Sequence, residues 1–224
     1  MFYSHKGVLM KKRLILLTLS TLISGFLYIP FIKASNDRIT SIIWLLFPIG
    51  STLGVLLFSW LGLRFADKST LQMPILNKWE SGQKIKTNDF RILLKPMFFS
   101  ISFALITYAF NQYFSVPKNP GTLIERTLTT PWAAIVTETI SHLFVMTGIL
   151  LLIKNRCLSI LLSSLIFLML FHLNHIEGNQ ILTIYLGIMN FSAATLTGWI
   201  YSKYGFESAV VSHATMHIIL LGLN

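Results

Sequence analysis

Long apolar runs, separated by shorter polar segments, make up most of the chain. A helix that crosses a lipid bilayer needs about 20 consecutive, mostly apolar residues. About seven runs approach that length, and runs this long are the most reliable pattern for assigning a helix. The sequence therefore predicts an all-α, polytopic integral membrane protein with about seven transmembrane helices, at 14–32, 39–63, 92–116, 131–153, 157–175, 180–201 and 206–223.

The spacing of these runs divides the chain into two parts. Polar segments separate the first three runs, whereas the last four are joined by short turns. The longest polar segment, 64–91, contains Pro74, Gly82 and charges of both signs, which is typical of a solvated connector. We predict one membrane domain: three N-terminal helices with this connector as a cytoplasmic loop over 1–130, and a four-helix core over 131–224.

The composition agrees with a membrane protein and excludes several other classes. Of the 224 residues, 54% are hydrophobic and 12% are charged, which is about half the charged share of an average soluble domain. A soluble domain of this length could not bury so much apolar surface. The single cysteine, Cys157, excludes an internal disulfide and any zinc site built from cysteines.

The positive charge indicates membrane orientation. Lys and Arg number 18 against 8 acids, and about 14 of the 18 fall on one side if the segments between the runs alternate. The positive-inside rule then places the N-terminus in the cytoplasm and the C-terminus outside. The basic cluster before the first run, with no small-residue cleavage site after it, is typical of an uncleaved signal anchor. No basic stripe with interleaved aromatic residues indicates nucleic-acid binding.

Titratable side chains inside the runs are concentrated in the C-terminal part. Glu138 alone among the acids lies well inside a long apolar run, and the first three runs contain no acid or histidine. Polar groups at membrane depth are costly and avoid lipid, so we expect them to line one inward-facing cavity. Residues four apart share a helix face, as Glu138 and one histidine do. Five of the six histidines lie in the last four runs: His142, His172, His175, His213 and His217.

Two kinds of chemistry fit one carboxylate and several histidines. In the first, Glu138 is a general base for water, and histidines donate hydrogen bonds to the oxyanion of a tetrahedral intermediate. In the second, the same groups bind a divalent metal that activates the water, although the chain contains no HExxH motif. A third interpretation is structural, since polar side chains can join neighbouring transmembrane helices by hydrogen bonds. The small residues of the sixth run predict close helix packing there: Ala193, Ala194, Thr197 and Gly198.

The motifs over residues 130–220 resemble the CPBP family, the bacterial relatives of the type II CAAX prenyl proteases. The family pattern is EExxxR on one helix, FxxxH on the next and HxxxN on the last. Here Phe171 and His175 match FxxxH in full, and the stretch from Leu196 to His213 is similar to the family segment that ends in histidine. The last motif reads His213 to His217, and a histidine can donate a hydrogen bond where asparagine would.

The paired glutamates of the family motif are reduced to Glu138 alone, and two alignments are open. If Glu138 is the first glutamate, Thr139 replaces the second and Leu143 replaces the arginine. If Glu138 is the second, Thr137 replaces the first and His142 takes the arginine position. The need for a base favours the first alignment, and the basic His142 favours the second.

The resemblance implies an intramembrane endopeptidase in the bacterial plasma membrane, with its active-site cavity in the C-terminal four-helix part. Glu138 and His175 would activate water and His213 with His217 would stabilise the oxyanion, supported by three further residues: His142, Phe171 and Thr137. No cofactor is expected, with zinc held by Glu138, His175 and His213 as the alternative.

The expected partners are the lipid bilayer and a membrane-associated peptide or protein precursor, in bacteriocin immunity or peptide maturation. A catalytically inactive relative that acts as a membrane scaffold is the second hypothesis, because the paired-Glu motif is reduced. A coupled transporter that uses the same Glu and His is a weaker third, since the two halves of the chain show no repeat.

Overall fold

The structure is a computed structural model that describes residues 3–35, 41–116, 123–171 and 180–223. All regular structure in these ranges is helical, as predicted. The α-helices are α1 (Tyr3–Ser35), α2 (Ser41–Ala66), α3 (Pro74–Glu80), α4 (Arg91–Tyr113), α5 (Leu123–Glu138), α6 (Thr147–Ile153), α7 (Arg156–Phe171), α8 (Gln180–Tyr204) and α9 (Phe206–Leu223). A 3₁₀ turn (Thr87–Phe90) precedes α4, and a π-helical segment (Thr139–Met146) joins α5 to α6.

Five helical stretches of the described chain are long and apolar enough to cross a membrane, which indicates a membrane-embedded protein. Their outer faces carry large exposed apolar side chains, such as Leu53 of α2, Phe98 of α4 and Ile184 of α8. Contiguous apolar surface of this kind is rare on soluble proteins. The stretches correspond to the second, third, fourth, sixth and seventh predicted runs: Leu46–Ala66, Thr87–Tyr113, Thr127–Ile153, Gln180–Tyr204 and Phe206–Leu223.

The first and fifth predicted spans are not among these five. The first, 14–32, lies within α1. The fifth, 157–175, begins in α7, a shorter apolar helix, and its last residues lie outside the described ranges. Seven spans therefore stay a prediction.

The helix that carries Glu138 lies at the centre of the packing. α5 packs against α1 and α9, and the π-helical segment that continues it packs against α2 and α7. α8 packs against α7 and α9, and α4 packs against α9. One hydrophobic cluster includes residues from both predicted parts of the chain, for example Leu63 of α2, Leu143 of the π segment and Tyr201 of α8. The predicted division at residue 130 stays a prediction.

The polar connector 64–91 is more ordered than its composition predicts. Met73 is 1% exposed and Leu76 is 7% exposed, because α3 packs its apolar face into the hydrophobic cluster. Glu207, in the first turn of α9, accepts a hydrogen bond from the backbone N–H of Leu76 at 2.6 Å. The connector is therefore fastened to the last helix and is not simply a solvated loop.

An ion pair joins the first helix to the same connector. Nε of Arg13 in α1 lies 2.7 Å from Oε2 of Glu80, and both side chains are less than a tenth exposed. The Arg13 guanidinium also contacts Asp67 at 3.2 Å and Asn77 at 3.3 Å. Burial raises the pKa of Glu80 above its ordinary value, while the nearby Arg13 acts in the opposite direction. This cluster fixes α1 against the ends of α2 and α3.

Candidate functional site

A cavity of about 650 Å³ lies between the C-terminal helices and α4. Such a volume lies within the range of small-molecule and peptide side-chain sites. Most of its exposed wall is apolar, and polar groups enter it from α4, α5, the π segment, α8 and α9. The polar and titratable lining residues are Thr107, Thr137, Glu138, Ser141, His142, Asn190, Thr197, His213 and His217, and the apolar lining includes Phe103, Phe167, Met189, Met216 and Leu220.

Glu138 is the last residue of α5, and its side chain is completely buried. Its two carboxylate oxygens contact different histidines. Oε2 lies 2.7 Å from Nδ1 of His142, and Oε1 lies 2.6 Å from Nδ1 of His213. A buried carboxylate needs such charge-assisted hydrogen bonds to offset the cost of its desolvation. The carboxylate therefore joins the π segment to α9.

The backbone changes from α-helical to π-helical directly after Glu138. The N–H of Thr147 bonds to the carbonyl of His142, five residues earlier, and the Thr147 hydroxyl donates to the same oxygen at 3.0 Å. The Ser141 hydroxyl donates to the carbonyl of Thr137 across the start of the segment. π-helical turns are rare and occur frequently at functional sites. Here the π segment carries His142 and places its ring between Glu138 and α8.

The ring of His142 is enclosed on its other side by α8. Its Nε2–H donates to the carbonyl oxygen of Ala194 at 3.1 Å, and the side chain is 1% exposed. Gly198, one turn further along α8, has no side chain to fill the space that the ring occupies. A Cβ placed on Gly198 would lie 2.9 Å from Nε2 of His142. The small residues of this run therefore leave the space next to α8 that the His142 ring occupies.

Replacing Gly198 with alanine is expected to displace the His142 ring. The added methyl group would overlap the ring and Ile160, so the hydrogen bond to Ala194 should lengthen or break. We expect a loss of about 1–3 kcal/mol in the free energy of unfolding, as for other overpacked sites. The matched control is Gly187→Ala on the same helix, where an added Cβ meets nothing within 4 Å. Equal unfolding temperatures for the two variants in detergent micelles would show that Gly198 is not needed for this packing.

His213 lies on the cavity side of Glu138. Its Nδ1 faces the carboxylate, so Nε2 lies on the opposite side of the ring, and no hydrogen bond to Nε2 is present among the described residues. The ring of His217, one turn further along α9, stacks on it with centroids 4.8 Å apart. A carboxylate that accepts from one ring nitrogen leaves the other nitrogen as the basic one, as in Ser–His–Asp enzymes.

Most of the predicted site residues of the described chain meet at this cavity. Glu138, His142, His213, His217 and Thr137 all line it. Phe171 is the last residue of α7, and its side chain is not described. His175 lies outside the described residues, so its predicted place beside Glu138 stays a prediction.

The described histidines and acids do not form a metal site. No group of three His, Cys, Asp or Glu side chains in those ranges is placed to hold a metal ion. The geometry of Glu138 gives the reason, because both histidines direct Nδ1 at its oxygens instead of at a common point. The zinc alternative includes His175 and is therefore not tested by these residues.

Several residues of the site were not identified from the sequence. Ser141, Asn190 and Thr107 line the cavity, and the carbonyl of Ala194 accepts from His142. Asn190 could have been found, because it is a polar side chain inside an apolar run and the rule applied to Glu138 covers it too. A backbone carbonyl has no such signal in the sequence.

Comparison of the chain with protein-family models gives no match, and comparisons with curated proteins and with solved structures give none either. The resemblance to the CPBP family therefore stays a prediction that depends on the motifs alone.

Proposed function

We propose that this protein is an intramembrane endopeptidase that hydrolyses a peptide bond in a membrane-associated peptide or protein precursor. The observation that carries the proposal is the position of Glu138. It is a completely buried carboxylate, joined by both oxygens to histidines, at the wall of a cavity between apolar helices. Ionisable groups at such depth are expensive and usually functional.

The geometry favours His213 as the group that takes a proton from water. Glu138 accepts from Nδ1–H, which leaves the Nε2 lone pair directed away from the carboxylate. As water attacks the peptide carbonyl carbon, Nε2 would take the water proton and later pass it to the leaving amine. In this mechanism His217, whose ring stacks on that of His213, would donate to the developing oxyanion.

This assignment differs from the one that the resemblance implies. There, Glu138 and His175 activate water and His213 stabilises the oxyanion. The roles are exchanged here because Glu138 is completely buried and each of its oxygens already contacts a histidine, whereas His213 borders the cavity. His175 keeps its predicted role as a second group near the water, and the apolar lining favours a substrate segment that enters from the bilayer.

The proposal is tested by comparing membrane proteomes of bacteria that express the wild-type chain or His213→Ala. New peptide N-termini should be present with the wild type and absent with the variant. The matched control is Thr215→Ala, which removes a hydroxyl on the same helix that donates to the backbone carbonyl of Val211. If the variants insert equally and the same N-termini occur with both, the endopeptidase proposal is wrong.

A scaffold without catalytic activity is the second candidate, and the single glutamate in place of a pair favours it. A scaffold should retain its cellular phenotype in both Glu138→Gln and His175→Ala variants. Loss of the phenotype together with loss of cleavage in either variant would exclude it.

We further propose a plasma-membrane location with a cytoplasmic N-terminus, and the lone cysteine provides a test. Cys157 is exposed at the start of α7, on the side that the charge distribution places inside. A membrane-impermeant maleimide should label it only after intact cells are permeabilised. The control is Ser115→Cys in a Cys157→Ser background, because exposed Ser115 follows α4 at the predicted outer side. Labelling of Cys157 in intact cells would show that the orientation is opposite to the proposed one.

A further inference from the structure

The hydrogen bonds of His142 restrict where the protons of its ring can lie. A carbonyl oxygen can only accept a hydrogen bond, so the contact of Nε2 with the Ala194 oxygen at 3.1 Å requires a proton on Nε2. The other nitrogen, Nδ1, lies 2.7 Å from Oε2 of Glu138. One proton must lie between these two atoms, because two lone pairs at that distance would repel each other.

The remaining proton could reside on either partner. If it resides on Nδ1, His142 is an imidazolium and Glu138 a carboxylate; if it resides on Oε2, both side chains are neutral. The second oxygen of Glu138 favours the charged form, because Oε1 also contacts Nδ1 of His213 at 2.6 Å. A carboxylate that accepts two such hydrogen bonds is stabilised relative to a carboxylic acid.

We propose that His142 is an imidazolium, and that it serves as a positioning residue which neutralises Glu138 and fixes its carboxylate against α8 and α9. Glu138 and His142, the two completely buried groups, then carry no net charge in an apolar interior, which a lone carboxylate could not achieve. Glu138 can accept from His213 without a proton of its own. The catalytic consequence rests on the proposed function, whereas the protonation state does not.

The walls around the ring leave it little freedom to turn away. Gly198 borders it, and a side chain at Gly198 would overlap Nε2. Ser141 lies 3.4 Å from Nδ1, but its hydroxyl proton is directed at the carbonyl of Thr137. The described residues within hydrogen-bond reach of Nδ1 thus offer one strong acceptor, the Glu138 carboxylate.

Nitrogen NMR of the full chain in lipid bilayers tests the proposal without any substrate. In protein labelled with ¹⁵N-histidine, both ring nitrogens of His142 should give protonated-type signals at neutral pH, assigned by their loss in His142→Gln. In Glu138→Gln the Nδ1 signal should change to the unprotonated type, since the amide can donate to it. The control, Glu207→Gln, removes a different, half-buried carboxylate and should leave both signals in place. An unprotonated Nδ1 in the wild-type protein would overturn the proposal.

Kinetics then separate positioning from binding. His142→Gln should lower kcat by about 10–100-fold with KM nearly unchanged, because the ring is 1% exposed and its nitrogens contact Glu138 and the Ala194 carbonyl. His142→Lys keeps a cation at this position and should retain more of kcat than the glutamine variant. Equal kcat values for the lysine and glutamine variants would show that the charge has no part in catalysis. If no variant or wild type cleaves any peptide but both nitrogens are protonated, the proposed function fails and the imidazolium stands.

Discussion

Replacing Glu138 with glutamine is expected to lower the rate of peptide hydrolysis by about 10³-fold or more, the size of effect seen when the carboxylate of a catalytic histidine is neutralised. Glutamine has nearly the same shape, so the helices around it should still pack. In the wild type, Nδ1 of His142 and Nδ1 of His213 each face a carboxylate oxygen, which accepts a hydrogen bond. The glutamine amide NH₂ would instead present a donor to one of these two nitrogens. His213 would lose either its orientation or the tautomer that leaves Nε2 basic.

The measurement is a single-turnover assay in vesicles, using a precursor identified by the proteome comparison. Glu207→Gln is the control, because its side-chain oxygen can still accept from the N–H of Leu76 and its carboxylate lies outside the cavity lining. The control should retain a rate close to that of the wild type. A Glu138→Gln variant that is folded and within a factor of about ten of the wild-type rate would contradict the proposed mechanism.

The second large effect is expected from Gly62→Ala in α2. An added Cβ would lie 2.7 Å from the carbonyl oxygen of Leu143 and 2.9 Å from its carbonyl carbon. Both atoms belong to the backbone of the π segment, so relief requires movement of the whole segment and not of one flexible side chain. We expect a loss of about 3 kcal/mol, the upper end for overpacking, which lowers the unfolding temperature by roughly 6–12 °C.

Gly54→Ala is the matched control for this variant. It lies on the same helix, and an added Cβ there meets nothing within 4 Å, so the change should be neutral or slightly stabilising. Thermal unfolding of both variants in the same detergent gives the comparison. If Gly62→Ala unfolds at the temperature of Gly54→Ala, then α2 does not hold the π segment in the described position.

The helical architecture could be predicted because the bilayer imposes length and hydrophobicity on each span. Five predicted runs coincide with helices of sufficient length, and in α8 and α9 the boundaries agree within a few residues. The meeting of Glu138, His142 and His213 could also be expected, since the cost of exposing them to lipid leaves the interior as the only alternative. Both inferences follow from the properties of the bilayer and require no knowledge of which side chains contact each other.

The π segment could not be predicted, because it depends on contacts distant in sequence. Residues Thr139–Met146 have no local pattern that separates a π-helix from an α-helix, and the packing of Gly62 against Leu143 is visible only in three dimensions. The π segment begins at the residue after Glu138. The two alignments of the paired-Glu motif stay open, because a single glutamate fits either position of the pair.

Which histidine contacts each carboxylate oxygen of Glu138 could not be predicted from the sequence either. His142 is four residues away and was expected to share its face, but His213 is 75 residues away. Spacing within one helix gave no information on that second contact. The buried face of the connector was missed for a similar reason, because Met73 and Leu76 pack against distant helices within a segment of polar composition.

The position of His213 on α9 has a consequence for biosynthesis. Glu138, His142 and the Ala194 carbonyl lie on α5, the π segment and α8, which precede α9 in chain order, whereas His213 and His217 lie on α9. While the chain is being made and inserted, Glu138 and His142 can meet before α9 has emerged, but the nitrogen directed at the cavity is absent. Under the proposed mechanism, the nascent chain would therefore be inactive toward neighbouring membrane proteins until α9 has been inserted and packed.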